Sequence, residues 1–267
     1  MTALWSKPVR DYMSKGLVAV HPTMPLAELQ QVLEDRNISA VPVVDDGARL
    51  LGIVSTTDLL RVAHVEISYR GARPRVAMPA STARDVMRPE VATVDEAAPL
   101  SAAAQTMVER RIHRLIVLHE GRAAAVVSTR DAMRAVLEHH VALPLSVVMS
   151  HPVETIELGE TIRSAVDRLR GANVRGLVVV DGTWPIGVFT HSEAIRARAL
   201  PQGLLDMPVE DLMSYEMYCL DVETPLYRVA GHAIQTGVRR ILAVRDRRVH
   251  GIVTGFDLVR VMTMAEA

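Results

Sequence analysis

At four places in this sequence a hydroxyl side chain is followed three residues later by an acid: Ser55 and Asp58, Ser128 and Asp131, Thr190 and Glu193, Thr254 and Asp257. Ser and Thr are favoured helix N-caps, and an acid in the first turn of a helix lies beside free N–H groups and the positive end of the helix dipole. The same pairing suits a ligand. A carboxylate accepts bonds from both hydroxyls of a ribose, and the start of a helix offers N–H groups to a phosphate. Each such charge-assisted bond contributes about 1.5–3 kcal/mol. A cap with no ligand satisfies the same spacing, so both readings stand at each position. Glu193 departs from the other three acids: its extra methylene pushes the carboxylate further from the helix start, and the third site is expected to be altered or empty.

Other chemistries find little support. The acids fall one per repeat, as symmetry demands, and no Ser/His/Asp order, Walker loop or metal cluster accompanies them, so the chain is not expected to be an enzyme. His139 and His140 are adjacent and diverge on a helix, with no Cys or acid at ligand spacing, and metal binding is not expected. With 30 Lys plus Arg against 31 Asp plus Glu, the net charge is -1, and aromatics make up only 3% of the chain. Nucleic-acid binding therefore has neither a global field nor a basic, aromatic-interleaved stretch behind it. Arg70, Arg73 and Arg75 read as a solvated linker. The single cysteine, Cys219, excludes an intrachain disulfide framework. Met1 to Arg10 does not read as a signal peptide, so none is expected, and no window approaches the ~20 apolar residues of a membrane span. The cytoplasm is the expected compartment, with no membrane partner.

The elements that position the acids repeat. Tyr12-Met13-Ser14, Val86-Met87-Arg88, Val148-Met149-Ser150 and Leu212-Met213-Ser214 each lead, thirteen residues after the Met, to the first apolar residue of a helical pattern: Leu26, Leu100, Ile162 and Leu226. The acid then closes each copy at the same distance, save for one extra residue in the first copy. That residue falls at the turn Asp45-Asp46-Gly47, where an insertion is cheap. The corresponding tips are Glu120-Gly121, Asp181-Gly182 and Asp246-Arg247. Each copy reads strand, helix, strand, strand, helix. In the first, Val18 to Val20 is the opening strand and Pro25 starts a helix with Leu26, Leu29 and Leu33 on one face. Ala40 to Val44 and Leu50 to Val54 form a hairpin, and the last helix follows Ser55. Pro99 and Pro225 repeat the role of Pro25. The methionines are read as core side chains.

A unit this small leaves an apolar face uncovered, so copies must pair. The expected pairs are 9–138, holding repeats 9–63 and 83–138, and 145–264, holding repeats 145–198 and 209–264, divided at Pro144. The connection from His64 to Thr82, with Tyr69, Gly71, Pro74 and Pro79, is expected to be an irregular surface segment. The two pairs are expected to form a disk, within one chain or by self-association of two.

These repeats resemble CBS domains, the repeats named after cystathionine beta-synthase. The resemblance covers nearly the whole chain and rests on Gly52-Ile53-Val54-Ser55-Thr56-Thr57-Asp58, Ala125-Val126-Val127-Ser128-Thr129-Arg130-Asp131, Gly187-Val188-Phe189-Thr190-His191-Ser192-Glu193 and Gly251-Ile252-Val253-Thr254-Gly255-Phe256-Asp257, in register with the Met-led openings. It implies an α/β (α+β) fold of four CBS repeats paired through their sheets, with adenine nucleotides held between paired repeats. The hydroxyl and acid of each heptad are then the ribose and phosphate contacts: Ser55 with Asp58, Ser128 with Asp131, Thr254 with Asp257, and Thr190 in the altered third copy. Ala125 in place of Gly is expected to narrow the backbone approach to a ligand.

Ile112-His113-Arg114-Leu115 is similar to the segment that places a His and an Arg near nucleotide phosphates in the gamma subunits of AMP-activated kinases. Arg175 and Arg240 lie in comparable stretches, while the first copy has Ser39 and Ala40. The resemblance further implies that main-chain atoms around Ile38 to Pro42 and Ile112 to Leu115 meet the adenine. The implied ligands are AMP, ADP or ATP, with S-adenosylmethionine as an alternative. The implied role is a non-catalytic sensor whose output passes through a separate effector protein or self-assembly, and a ligand-free interaction scaffold is the competing reading.

Overall fold

Leu26, thirteen residues after Met13, is the first residue of α1 (Leu26–Asp35), with Pro25 at its N-cap and Leu26, Leu29 and Leu33 buried along one face. The computed structural model describes residues 2–14, 16–62, 64–66, 75–171, 174, 176–198, 201–238 and 240–264. The first copy continues through the hairpin β1 (Ala40–Val44) and β2 (Leu50–Ser55) to α2 (Thr56–Val62). After the link, which carries β3 (His64–Glu66) and β4 (Arg75–Ala77), the second copy runs α3 (Ala83–Val86), β5 (Thr93–Asp95), α4 (Leu100–Arg110), β6 (Arg114–His119), β7 (Arg122–Ser128) and α5 (Thr129–Glu138). The third comprises β8 (Thr155–Glu157), α6 (Ile162–Gly171), β9 (Gly176–Asp181), β10 (Trp184–Thr190) and α7 (His191–Arg198). The fourth comprises β11 (Tyr218–Asp221), α8 (Leu226–Thr236), β12 (Arg240–Arg245), β13 (Arg248–Thr254) and α9 (Gly255–Arg260). All four predicted helix starts and all four predicted hydroxyl caps fall where the sequence pattern put them.

In copies two to four the first strand joins the hairpin in parallel and makes a three-stranded sheet. The first copy differs: Val18 to Val20 forms no strand, and only Val20 bridges to Val43. The link also differs from its expected irregular course, because β3 and β4 pair antiparallel. Tyr69, Arg70, Gly71, Arg73 and Pro74 lie outside the described residues. At the hairpin tips, two residues connect the strands in copies two to four; Glu120 with Gly121 and Asp246 with Arg247 are both at positive φ, while in copy three Gly182 takes it and Thr183 does not. The first copy accommodates its extra residue by a side-chain staple. Asp45 accepts from the N–H groups of Gly47 and Arg49 at 3.0 and 2.9 Å, and Ala48 takes a positive φ.

The chain divides into two compact units, Trp5–Asp131 and Met1–Leu4 with Ala132–Ala267. Within each unit two copies exchange their openings. In the first unit, Val9 N–H donates to the Ala98 carbonyl and Leu100 N–H to the Lys7 carbonyl, so the opening of copy one is bound to copy two. In return, Ala83 N–H donates to Met24 and Leu26 N–H to Ser81, and Ala83, Val86 and Met87 complete the core built by Leu26, Leu29, Leu33, Val41, Val43, Val54 and Leu59. The second unit repeats the exchange. Leu226 N–H donates to Leu143 and Leu145 N–H to Thr224, while Val209 and Met213 enter the core around Ile156, Ile162, Leu177 and Phe189. The sheets of copies three and four meet through Val178, Val180 and Leu242. The apolar face that one copy cannot cover is thus covered by its neighbour.

Candidate functional site

In every copy one carboxylate oxygen is committed to the helix cap. Asp58 Oδ2 accepts from the Ser55 amide at 2.9 Å and the Ser55 hydroxyl at 2.5 Å. Asp131 Oδ2 accepts from the Ser128 amide and hydroxyl at 2.8 and 2.7 Å, and Asp257 Oδ2 from those of Thr254 at 2.8 Å each. Glu193 Oε2 makes the same pair with Thr190, at 2.9 and 2.5 Å. The extra methylene of Glu193 therefore does not carry its carboxylate away from the helix start, contrary to the expectation from length: the longer side chain folds back onto the cap. All four acids are buried.

The second oxygen distinguishes the copies. On Asp257 it accepts from the Ser150 hydroxyl at 3.0 Å, with Arg260 3.7 Å away. On Glu193 it accepts from Arg196, one turn along α7, at 2.9 Å. On Asp58 it accepts both Nε and Nη2 of Arg88, at 2.8 and 2.6 Å, and Arg61 stands at 3.7 Å. Burial by itself raises the Asp58 carboxyl, but the Ser55 hydroxyl, the Arg88 guanidinium and the Ser55 amide outweigh it and hold it below the usual aspartate range. Glu193 is treated alike: burial pushes it up, and its bonds from the Thr190 hydroxyl and from backbone amides, with Arg196, bring it below the usual range.

The hairpin register brings the cation stretch opposite the caps. Arg114 pairs with Ser128 and Arg240 with Thr254, whereas Ala40 faces Ser55 and Gly176 faces Thr190. Copies two and four alone place an arginine at this position. Gly176 holds the place of Arg114, so Arg175 aligns with His113, and Arg175 itself lies outside the described residues. His113 is exposed, and its carbonyl accepts the Thr129 N–H at 3.0 Å, as the Ser39 carbonyl accepts that of Thr56.

The heptad glycines answer to packing. A Cβ at Gly52 would stand 2.9 Å from the Met87 sulfur and 2.8 Å from the Arg88 carbonyl oxygen; Gly187 meets Met213 and Ser214 in the same way, and Gly251 meets Met149. The Met-led opening of one copy crosses the heptad of its neighbour, so Met and Gly form one seam. At the corresponding position copy two carries Ala125, so the seam there takes a methyl.

The cross-copy partners Arg88 and Ser150 carry no local signal in the sequence. Arg88 stands where the other openings have Ser14, Ser150 and Ser214, but a repeat alignment does not reveal which acid it faces. His140 follows the end of α5 and stacks on Tyr227, ring centroids 5.0 Å apart. Burial pushes the Cys219 thiol up, and the side chain packs beside Val178 and Leu242. Among the described residues no group of His, Cys, Asp and Glu is arranged to hold a metal, and no helix is long and apolar enough to cross a membrane.

A family model of the CBS domain matches residues 9–65, 83–138, 145–200 and 209–263. Uncharacterized protein MJ1404 of Methanocaldococcus jannaschii is 22% identical over 97% of this chain and 63% of its own length. The 5'-AMP-activated protein kinase subunit gamma-3 of Bos taurus is 28% identical over 71% of this chain and 41% of its own length. The chain spans less than two thirds of either relative. A solved structure of an uncharacterized conserved protein from Pyrococcus horikoshii has the same fold, with a TM-score of 0.68 at 18% identity, covering 96% of this chain and 99% of that one.

Proposed function

The chain belongs to the CBS-domain family, and we propose that it is a regulatory protein that binds adenine nucleotides without transforming them. Its repeats act as two pairs, 9–138 and 145–264, and the ligand lies between paired repeats. The observation that carries this reading is the grouping in copies two and four: a capped acid, its hydroxyl, and an arginine at the facing strand position, as Ser128, Asp131 and Arg114 and as Thr254, Asp257 and Arg240. The acid takes the ribose hydroxyls. The arginine, with His113 in copy two, takes phosphate. Two or three such bonds with a buried adenine reach roughly micromolar affinity, about -8 kcal/mol. The likeness to a subunit of a kinase named for its activation by AMP supports the ligand class. Occupancy that favours one arrangement of the pair is passed to a separate effector protein or to self-association.

Titration calorimetry of nucleotide-stripped protein with AMP, ADP, ATP and S-adenosylmethionine tests this. The control is an Asp131→Asn, Asp257→Asn double variant, because Asn keeps the helix cap and removes the charge. Saturable binding that weakens sharply in the variant is expected. A second reading, a ligand-free interaction scaffold, draws on the internal pairing of Asp58 with Arg88 and of Glu193 with Arg196. Silence toward all four compounds would select it.

A further inference from the structure

The opening residue that follows the methionine is Ser14, Ser150 and Ser214 in three copies and Arg88 in the second. Its place in the fold is the same in each unit. Arg88 exchanges backbone bonds with Ile53 at 3.0 and 2.9 Å, as Ser150 does with Ile252 and Ser214 with Val188. From that place the side chain reaches the acid of the neighbouring copy, Arg88 to Asp58 and Ser150 to Asp257. The two acids are left in different states. An ionised carboxylate has about four acceptor sites. Those of Asp58 are filled by the Ser55 amide, the Ser55 hydroxyl and two nitrogens of Arg88. Asp257 receives the Thr254 amide and hydroxyl and one neutral hydroxyl from Ser150, which can turn to accept as well as donate.

We propose that Arg88 is the specificity-determining residue of the first copy: it occupies the Asp58 oxygen that a ribose diol needs, and so closes that site to adenine nucleotides while the fourth copy's site stays open. The inference rests on the reading of the hydroxyl–acid pairs as ribose sites. A diol brings two neutral O–H donors. At Asp58 it has to displace a guanidinium bound through two nitrogens, and a charged donor outcompetes a neutral one on the same carboxylate. Arg61, 3.7 Å from the same oxygen, adds positive charge and does not replace the bonds. The arginine side chain is half-exposed, while the acid is 5% exposed, so substitution of Arg88 alters a surface side chain and leaves the buried acid in place.

The test is calorimetric titration with AMP and ATP of the wild type and of Arg88→Ser, the residue that three other openings already carry. Arg88→Gln, which keeps the aliphatic stem, is the second variant, and thermal melting checks that each is folded. Both variants are expected to take up one more equivalent of nucleotide than the wild type, or to bind it about tenfold more tightly at one site. Adding Asp58→Asn to Arg88→Ser is expected to abolish the gain. Wild type and variants binding alike overturns the lock and leaves the proposed function standing. Binding by the variants alone supports the lock and shows the other sites closed. Silence of all three overturns both. As a readout on the unaltered protein, the Arg88 Nε–H signal in NMR is expected to stay in place at saturating nucleotide, and its displacement overturns the lock.

Discussion

Met149, which opens the third copy, rests on Gly251 of the fourth: a Cβ at position 251 would stand 2.5 Å from its sulfur and 2.7 Å from its Cγ. The same contact joins Met87 to Gly52 and Met213 to Gly187. Where the glycine becomes Ala125, the seam adjusts. Ser14 N–H still donates to the Val126 carbonyl at 2.9 Å, but the Val126 N–H turns to the Ser14 hydroxyl at 3.1 Å, whereas Ile53, Val188 and Ile252 donate to the carbonyl of the opening residue. A methyl at this position crowds that carbonyl, as the 2.8 Å approach at Gly52 indicates.

Gly251→Ala is therefore expected to destabilise the protein by about 1–3 kcal/mol, the usual range for overpacking a filled site. Met149→Ala removes the obstructing side chain and leaves a gap. The double variant is expected to be less destabilised than the sum of the two singles, since the added methyl enters the space the methionine left. Denaturant melts of the four proteins give the coupling, and strict additivity would show that the two residues do not share the site.

The periodic features were legible in sequence because they are local. Leu26, Leu100, Ile162 and Leu226 are each set by a proline or polar residue before an apolar helical stripe, and each is a helix start. The caps at Ser55, Ser128, Thr190 and Thr254 are equally local, a hydroxyl and an acid three residues apart. The seam was not legible. Gly52 and Met87 are far apart in the chain, and only the crossing of two copies explains why one must be small. Arg88 escaped for the same reason: its partner Asp58 is in the other copy. Glu193 runs against its length, because reach depends on conformation: the glutamate folds back to make the cap that aspartate makes.

A single copy is expected not to fold alone. The core of copy one is completed by Ala83, Val86 and Met87 from beyond its own end, so a fragment ending at residue 66 exposes the face around Leu29, Val41 and Leu59. Such a fragment should lack a cooperative unfolding transition and bind a hydrophobic dye. A sharp melt from it would mean that the exchanged opening is dispensable.

Thr190 is buried, and its hydroxyl donates to Glu193 at 2.5 Å. Thr190→Val keeps the shape and deletes the donor. The carboxylate then loses one of its two cap bonds inside the protein, and a loss of about 1–2 kcal/mol is expected. Thr190→Ser, which retains the hydroxyl and removes only a methyl, should recover most of the bond's contribution. A loss in Thr190→Ser with none in Thr190→Val would assign the effect to the methyl instead of the bond.

Acid should release the same cap. The Glu193 carboxyl is held below its ordinary value, so the folded state binds its proton less readily than the unfolded chain. The stability this contributes is fully present above the unfolded value and is lost as pH falls through the folded one. Glu193→Gln is neutral at every pH and serves as the reference. The wild type is expected to exceed it by about 1–2 kcal/mol near neutrality, chiefly through the Thr190 bonds, because Arg196 is 56% exposed and screened by solvent. Denaturant melts at intervals from pH 7 down to pH 3 should show that gap closing below about 4.3. A gap that stays constant across the range would mean that the shape of the side chain, and not its charge, holds the start of α7.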